Sequence, residues 1–134
     1  MPLSLQLRAL VLLALARPLL RGLGTARTLR RLASPARPRA RSVSHAGALR
    51  AVRRASRVTG GACLGQAVAL TAILARAGED PVLVLGSRRY DEGAWGAHAW
   101  VDSGGELLDP VPGLEHHRPL GMYRAADGWE LRQP

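Results

Sequence analysis

The sequence predicts an α+β fold, in which a helical first half is followed by a small antiparallel sheet. Apolar residues recur at helical spacing from Leu3 to Leu32, and again in the segment CLGQAVALTAILAR, which begins at Cys63. Three short β-prone runs, VLVL, AHAWVD and ELLD, follow that segment. The order helix, strand, strand, strand therefore predicts a sheet packed against the helix that begins near Cys63.

The first 33 residues are predicted to form a basic amphipathic helical region. Gly22 and Gly24 predict a break between two helical pieces, and Pro18 predicts a kink or a restart. The longest uncharged run between arginines, Ala9 to Ala16, is far short of the roughly 20 apolar residues that cross a bilayer. A signal peptide is disfavoured, because the apolar run is followed by LARPLL. We expect this region to dock on the domain, on a partner protein or on a membrane surface.

The chain is predicted to divide into three parts. Residues 34–43 contain two prolines and three arginines with almost nothing to bury, which is typical of a linker. This linker separates the helical region 1–33 from a single domain that spans 44–134. We expect one domain because 134 residues suffice for one modest core.

The elements of the domain follow from caps, breakers and periodicity. The first element is a helix capped by Ser44 that extends to about Arg57, with an apolar face formed by Ala46, Leu49, Val52 and Ala55 or Ser56. A second helix runs from about Cys63 to Ala77 and is closed by Gly78. The elements that follow are a strand from Val82 to Leu85, the ten-residue polar loop SRRYDEGAWG, a hairpin from about Ala97 to Asp109, and a tail in which Trp129 and Leu131 form a last strand.

Charge is distributed unevenly between the two halves of the chain. Residues 1–78 hold fourteen arginines and no acid, whereas residues 79–134 hold five arginines and all ten acids. Such a basic half fits nucleic acid or an anionic surface as partner. The basic half lacks the aromatic residues that would read bases, so nucleic acid is not expected as a partner.

The cysteine and histidine content indicates the redox compartment and whether a metal site is expected. The single cysteine excludes an internal disulfide and fits a reducing cytoplasm. His116 and His117 are adjacent and have no matching thiol or acid cluster, so we expect no metal site. No cofactor is expected either.

Cys63 has two interpretations. At a helix N-terminus, the unpaired backbone N–H groups and the helix dipole favour a thiolate and could stabilise an oxyanion. A free cysteine is, however, among the most buried residue types and most often simply packs. Without further residues to support catalysis, the interpretation of Cys63 as a buried packing residue is favoured.

His98 and Asp109 change that balance. His98 is a polar residue inside an apolar β segment, and a neutral imidazole facing a thiol is what a Cys-His pair requires. Asp109 ends the next strand, where it could accept the Nδ1 proton of His98 and fix its tautomer. Aspartate before proline is also a common strand terminator. The three residue types together predict a catalytic triad.

Three motifs in this order suggest a family. A cysteine at a helix start, HAW opening a strand and LLDP closing the next resemble the transglutaminase-like superfamily of papain-type cysteine enzymes. Within it, CLGQAVALTAILARAGEDPVLVLGSRR followed by AHAWVDSGGELLD is similar to the stand-alone peptidase half of the B-type lasso-peptide maturation protein. The resemblance is close from about Arg50 to Leu120 and looser over the N-terminal helices.

The resemblance implies both roles and partners. Cys63 would be the nucleophile, His98 the general base and acid, and Asp109 the orienting carboxylate. The substrate would be a ribosomally made precursor peptide, cut between leader and core. A separate leader-recognition protein would supply most of the leader binding, and an ATP-dependent macrolactam cyclase would act on the freed core.

Further site residues and alternative functions complete the prediction. Gln66, one turn after Cys63, is a candidate for shaping the oxyanion site, and Trp95 and Trp100 are candidates for lining a peptide cleft. The same triad could instead serve a transglutaminase-like acyltransferase or a deamidase. A non-enzymatic alternative is a basic adaptor that binds nucleic acid or membrane.

Overall fold

The computed structural model describes residues 2–33, 43–60, 63–89, 95–108 and 117–134. Its helices and strands, in chain order, are α1 (Pro2–Leu23), α2 (Thr25–Ala33), α3 (His45–Thr59), α4 (Cys63–Arg76), β1 (Val82–Arg89), β2 (Trp95–Ser103), β3 (Glu106–Leu108) and β4 (His117–Arg124). The four strands form one antiparallel sheet in the order β3-β2-β1-β4. The predicted α+β class is confirmed.

Helix α1 runs without interruption through Pro18, so of the two alternatives predicted there, a kink or a restart, the restart is wrong. Proline removes one backbone hydrogen bond, which leaves the carbonyl of Ala14 without its helical donor. Ala14 and Pro18 are both exposed, so water can take the place of that donor. The predicted break lies at Gly24, whose φ of +82° favours glycine.

The N-terminal helices share one apolar core with the rest of the molecule. Helix α1 packs on α3 and α4, and α2 packs on α4. Ala9, Leu12 and Leu13 of α1 are buried in the same cluster as Leu70 of α4 and Val101 of β2. The helical region therefore contributes directly to the core, while the linker 34–43 lies outside the described residues except for Val43.

Helix α3 begins and ends as its capping residues predict. The Oγ of Ser44 accepts a hydrogen bond from the backbone N–H of Gly47 at 3.0 Å, which satisfies one unpaired donor of the first turn. Gly60 closes the helix at φ +70°. The helix extends two residues beyond Arg57, to Thr59.

The buried face of α3 differs from the predicted one. Ala46 is exposed and Leu49 only half-buried, and the buried residues are Ala48, Ala51, Val52 and Ala55. Small side chains on this face allow α1 to approach closely, and the side-chain amide of Gln6 donates to the carbonyl of Ala51 at 3.0 Å. Close packing with α1, which periodicity within α3 does not reveal, selects this face.

Helix α4 is the most deeply buried element of the described chain. Every residue from Gly65 to Leu74 is buried, because α1, α2 and α3 and the sheet all pack against it. The backbone N–H of Glu79 donates to the carbonyl of Leu74 at 3.1 Å, and Gly78 has a φ of +88°. The predicted glycine closure of this helix is confirmed.

The sheet is larger than predicted. Strand β1 continues to Arg89 and β2 begins at Trp95, so both ends of the predicted ten-residue loop belong to strands. The tail contains β4, which was not predicted because the proline and glycine within it weaken the sequence signal for a strand. Strand β4 lies at the edge of the sheet, where proline is tolerated. The predicted last strand at Trp129 and Leu131 is replaced by a single bridge between Met122 and Arg132.

The predicted hairpin is confirmed over β2 and β3. Gly104 and Gly105 form its turn with φ of +60° and +82°. Within the described ranges, none of the helices has both the length and the apolar character needed to cross a bilayer.

Candidate active site

Cys63 is the first residue of α4 and is half-buried. A side chain at this position lies beside the unpaired N–H groups of the first helical turn. These groups and the helix dipole stabilise negative charge, so the position suits a thiolate and an oxyanion. The predicted placement of the cysteine at a helix start is confirmed.

His98 lies in the middle of β2, opposite Gly86 of β1, and only 6% of its surface is exposed. Ala99 and Val101, which are two residues apart on β2, lie on the same face of the sheet, and both belong to the core with the helices. His98 and Trp100 alternate with these two residues and therefore lie on the other face of the sheet, away from the helix core. The two rings stack with centroids 6.0 Å apart and an interplanar angle of 29°.

Gly86 makes room for this ring pair. A Cβ at Gly86 would overlap the six-membered ring of Trp100 and would stand 2.7 Å from the carbonyl oxygen of Arg118 on β4. The pairing of β1 with β4 also shifts register between Leu85 and Gly86. Such irregularities bend a strand and redirect its side chains. Glycine is therefore required here by close packing, a role that the sequence pattern, in which Gly86 only ended a strand, did not reveal.

Of the other predicted site residues, two have side chains that the structure describes and two do not. Gln66 is buried one turn after Cys63, and Trp100 is buried beside His98. Trp95 begins β2, but its side chain is outside the described part of the structure, and Asp109 lies outside the described residues. The triad of Cys63, His98 and Asp109 stays a prediction from the sequence.

A second polar cluster, which the sequence reasoning missed, joins three parts of the chain. The Nε2 of His45 on α3 lies 2.5 Å from Oε1 of Glu79, and its Nδ1 lies 2.7 Å from Oε2 of Glu106 on β3. The Oγ of Ser103, at the end of β2, donates to the same Glu79 oxygen at 2.8 Å. We call these four residues the His45 clamp. Their sequence separation leaves no local motif that could have predicted it.

The His45 clamp favours a charged imidazole. Only a protonated histidine can donate from both ring nitrogens, and each nitrogen here faces a carboxylate. The hydrogen bond to Glu79, and then that to Glu106, raises the pKa of His45 above its ordinary value of 6.5, against a smaller opposing effect of burial. The clamp therefore ties the hairpin of β2 and β3 to the start of α3 most firmly when His45 is protonated.

We expect the clamp to make stability depend on pH. Because the pKa of His45 is raised in the folded state, its contribution is fully present below 6.5 and is lost as the pH rises through the higher folded value. His45→Gln should reduce the free energy of unfolding by about 1–2 kcal/mol at low pH and by less at high pH. Denaturant unfolding at a series of pH values measures both changes.

Arg30→Gln provides the control for this prediction. Arg30 forms an ion pair with Glu130 at 3.4 Å in which both side chains are well exposed, so its removal should cost at most about 1 kcal/mol and add no pH dependence near 6.5. An identical pH profile for wild type and His45→Gln would contradict the clamp's contribution.

No metal centre is present in the described part of the chain. The described residues contain no group of three or more His, Cys, Asp or Glu side chains that could hold a metal ion. The carboxylates nearest His45 are accounted for by hydrogen bonds to its two ring nitrogens.

The fold and the site define a class of protein. A helix that begins with the only cysteine and packs on an antiparallel sheet, with a buried histidine on the strand it contacts, is the arrangement expected of papain-like cysteine enzymes. A sequence model of the family described as Transglutaminase-like superfamily matches residues 8–121, and the chain belongs to this superfamily. Members are usually cysteine-dependent enzymes. No curated protein and no solved structure matches the chain significantly.

Proposed function

We propose that this protein is a cysteine peptidase that removes the leader from a ribosomally made lasso precursor peptide. The observation that supports this most strongly is the position of Cys63 as the first residue of α4, on a helix that packs against the strand of His98. Membership of the transglutaminase-like superfamily supports the cysteine chemistry. The resemblance of the motifs around Cys63 and His98 to lasso maturation proteases supports the substrate.

Element lengths bring Cys63 and His98 to a similar level along the sheet. The fourteen residues of α4 span about 21 Å, and six residues of an extended strand span about 20 Å. Strand β1 follows α4 after the turn at Gly78 and packs on it, so it returns along the helix. Cys63 is then level with about Ser87, whose partner on β2 is Ala97, the neighbour of His98. Ala97 shares a face of β2 with the core residues Ala99 and Val101, whereas His98 lies on the opposite face, so the lengths support the pairing through the level along the sheet alone.

The proposed reaction uses the triad in two stages. His98 takes the proton of the Cys63 thiol, and the thiolate attacks the carbonyl carbon of the last leader residue. The C–N bond then breaks, His98 gives its proton to the leaving amine of the core, and a thioester remains. Water, deprotonated by His98, attacks the thioester and the C–S bond breaks. His98 returns the proton to the Cys63 sulfur, and the leader leaves as an acid that ionises to a free carboxylate.

The remaining groups of the proposed site orient His98, stabilise the oxyanion or line the peptide cleft. Asp109 would accept the Nδ1 proton of His98 and hold the ring in the tautomer that can deprotonate the thiol. The N–H groups at the start of α4 would stabilise the oxyanion, with Gln66 as a candidate that shapes that site. Trp95 and Trp100 are the proposed aromatic walls of the peptide cleft.

The proposed partners follow from the substrate. A separate leader-recognition protein would bind the leader, and an ATP-dependent macrolactam cyclase would join the freed core amine to a side-chain carboxylate. These three proteins would work together in the cytoplasm, where a free thiol persists.

Mass spectrometry of a precursor incubated with this protein and a leader-recognition protein tests the proposal. We expect two products, leader and core, whose masses show that one water has been added across one peptide bond. Cys63→Ala should leave the precursor whole, because no other thiol is present in the chain. Circular dichroism of this variant checks that it folds.

Two outcomes would contradict the peptidase proposal. Cleavage by Cys63→Ala at the wild-type rate would exclude Cys63 as the nucleophile. A thiol-dependent change of mass without chain cleavage would instead support the acyltransferase or deamidase with the same triad.

A further inference from the structure

Helix α1 exposes a straight apolar row on the molecular surface. Leu7, Val11 and Leu15 are 61%, 49% and 44% exposed, and they are spaced four residues apart. Residues at this spacing lie one above the other on a helix. Exposed Ala14 and Pro18 extend the row toward the end of the helix. We call these five residues the α1 ridge.

The α1 ridge is not part of the buried core. Helix α1 packs on α3 and α4 through a different set of side chains, which are buried: Ala9, Leu12, Leu13 and Ala16. Isolated exposed leucines are normal on a protein surface. A continuous row of them along one helix is typical of an interaction site.

Arginines adjoin the C-terminal end of the ridge. Arg17 and Arg21, together with Pro18 and Gly22, line a shallow depression. Both arginines are exposed and lie one helical turn apart. Guanidinium groups in this arrangement match the phosphates of lipid headgroups next to an apolar surface.

The positive charge extends well beyond this depression. Exposed arginines also lie on α2, at Arg27 and Arg31, and on α3, at Arg50, Arg54 and Arg57. Residues 1–78 contain no acid, and within the described part of the chain the acids that the fold brings against this half pair with Arg30 and His45 and not with these five arginines. The first half of the chain therefore attracts an extended anionic surface more than a single acidic group.

We propose that the α1 ridge docks on an anionic lipid bilayer, with α1 lying in the plane of the interface. Leu7, Val11 and Leu15 would enter the boundary between headgroups and acyl chains, while Arg17 and Arg21 contact lipid phosphates. A nucleic acid would use the arginines but not the apolar row. A single partner helix would use the row but only a few of the arginines. An anionic bilayer uses both, and this proposal does not depend on the proposed peptidase activity.

Sedimentation with lipid vesicles tests the proposal on the full chain. We expect the wild-type protein to bind vesicles that contain phosphatidylglycerol and not vesicles of phosphatidylcholine alone. The triple variant Leu7→Ser, Val11→Ser, Leu15→Ser should bind these vesicles at least about tenfold more weakly than the wild type does. Arg17→Gln and Arg21→Gln should each weaken binding about fivefold at low salt.

Leu107→Ser with Leu120→Ser is the matched control. These leucines are 55% and 59% exposed, but they belong to β3 and β4, so vesicle binding should not change. The proposal is overturned if the wild type ignores anionic vesicles, or if the ridge variant binds them as well as the wild type does. It is also overturned if the ridge variant loses only the affinity for a purified leader-recognition protein, which would identify the ridge as a protein interface.

Discussion

His98→Ala is expected to reduce the kcat/KM of precursor cleavage by about 10³- to 10⁴-fold. In the proposed mechanism His98 removes the thiol proton and later protonates the leaving amine, so its loss affects both stages. Because Cys63 and His98 would act as a unit, the double variant with Cys63→Ala should be no slower than the single variants. Rates measured by mass spectrometry with the leader-recognition protein present give these values.

A substrate-free measurement separates catalysis from folding. The chain has one cysteine, so its alkylation by iodoacetamide reports the reactivity of Cys63 alone. If His98 pairs with Cys63, His98→Ala should slow alkylation at neutral pH about tenfold or more, since less thiolate is present.

His45→Gln is the matched histidine control for both measurements. His45 belongs to the clamp and not to the proposed triad, so its variant should keep the wild-type alkylation rate and cleavage rate at a temperature where it is folded. Equal alkylation of the wild type and His98→Ala over the whole pH range would show that the two residues are not paired.

Gly86→Ala is expected to destabilise the protein by about 2–3 kcal/mol. Its Cβ would overlap the ring of Trp100 and crowd the carbonyl of Arg118, which belongs to backbone and cannot rotate away. The ring of Trp100 stacks on His98, so the same substitution should displace His98 and reduce activity. Denaturant unfolding measures the first effect, and near-ultraviolet circular dichroism detects the altered tryptophan environment.

Gly22→Ala is the control for this substitution. Nothing lies within 4 Å of a Cβ built at Gly22, and this residue is in the last turn of α1, where alanine favours the helix. The free energy of unfolding should therefore stay the same or rise by up to about 1 kcal/mol. If Gly86→Ala proved as stable as Gly22→Ala, close packing of Trp100 on Gly86 would be refuted.

Local signals predicted the helices and the hairpin well. Ser44 and Gly78 predicted one helix start and one helix end, because caps act through hydrogen bonds to backbone within a few residues. Gly104 and Gly105 likewise predicted the turn between β2 and β3. Strand β4 was missed, because Pro119 and Gly121 weaken the local β signal and the strand forms only by pairing with distant β1.

In the candidate site, too, some features could be predicted from local sequence and others depend on long-range contacts. The position of Cys63 at a helix start followed from glycines before it and helix formers after it. His98 was predicted as a site residue because it is a polar residue within an apolar strand, and the structure shows that it is buried. The need for Gly86 under Trp100 could not be predicted, since it depends on how two strands and a ring meet.

The sequence by itself determined the α+β class, the ends of α4 and the residue types of a cysteine enzyme, because capping, periodicity and residue chemistry act over short distances along the chain. The tertiary structure decided which face of α3 is buried, how the four strands pair, and which carboxylates surround His45. It also decided that Leu7, Val11 and Leu15 stay exposed on α1. These features depend on contacts between residues far apart in sequence, whose free energies arise only once the helices and the sheet pack together.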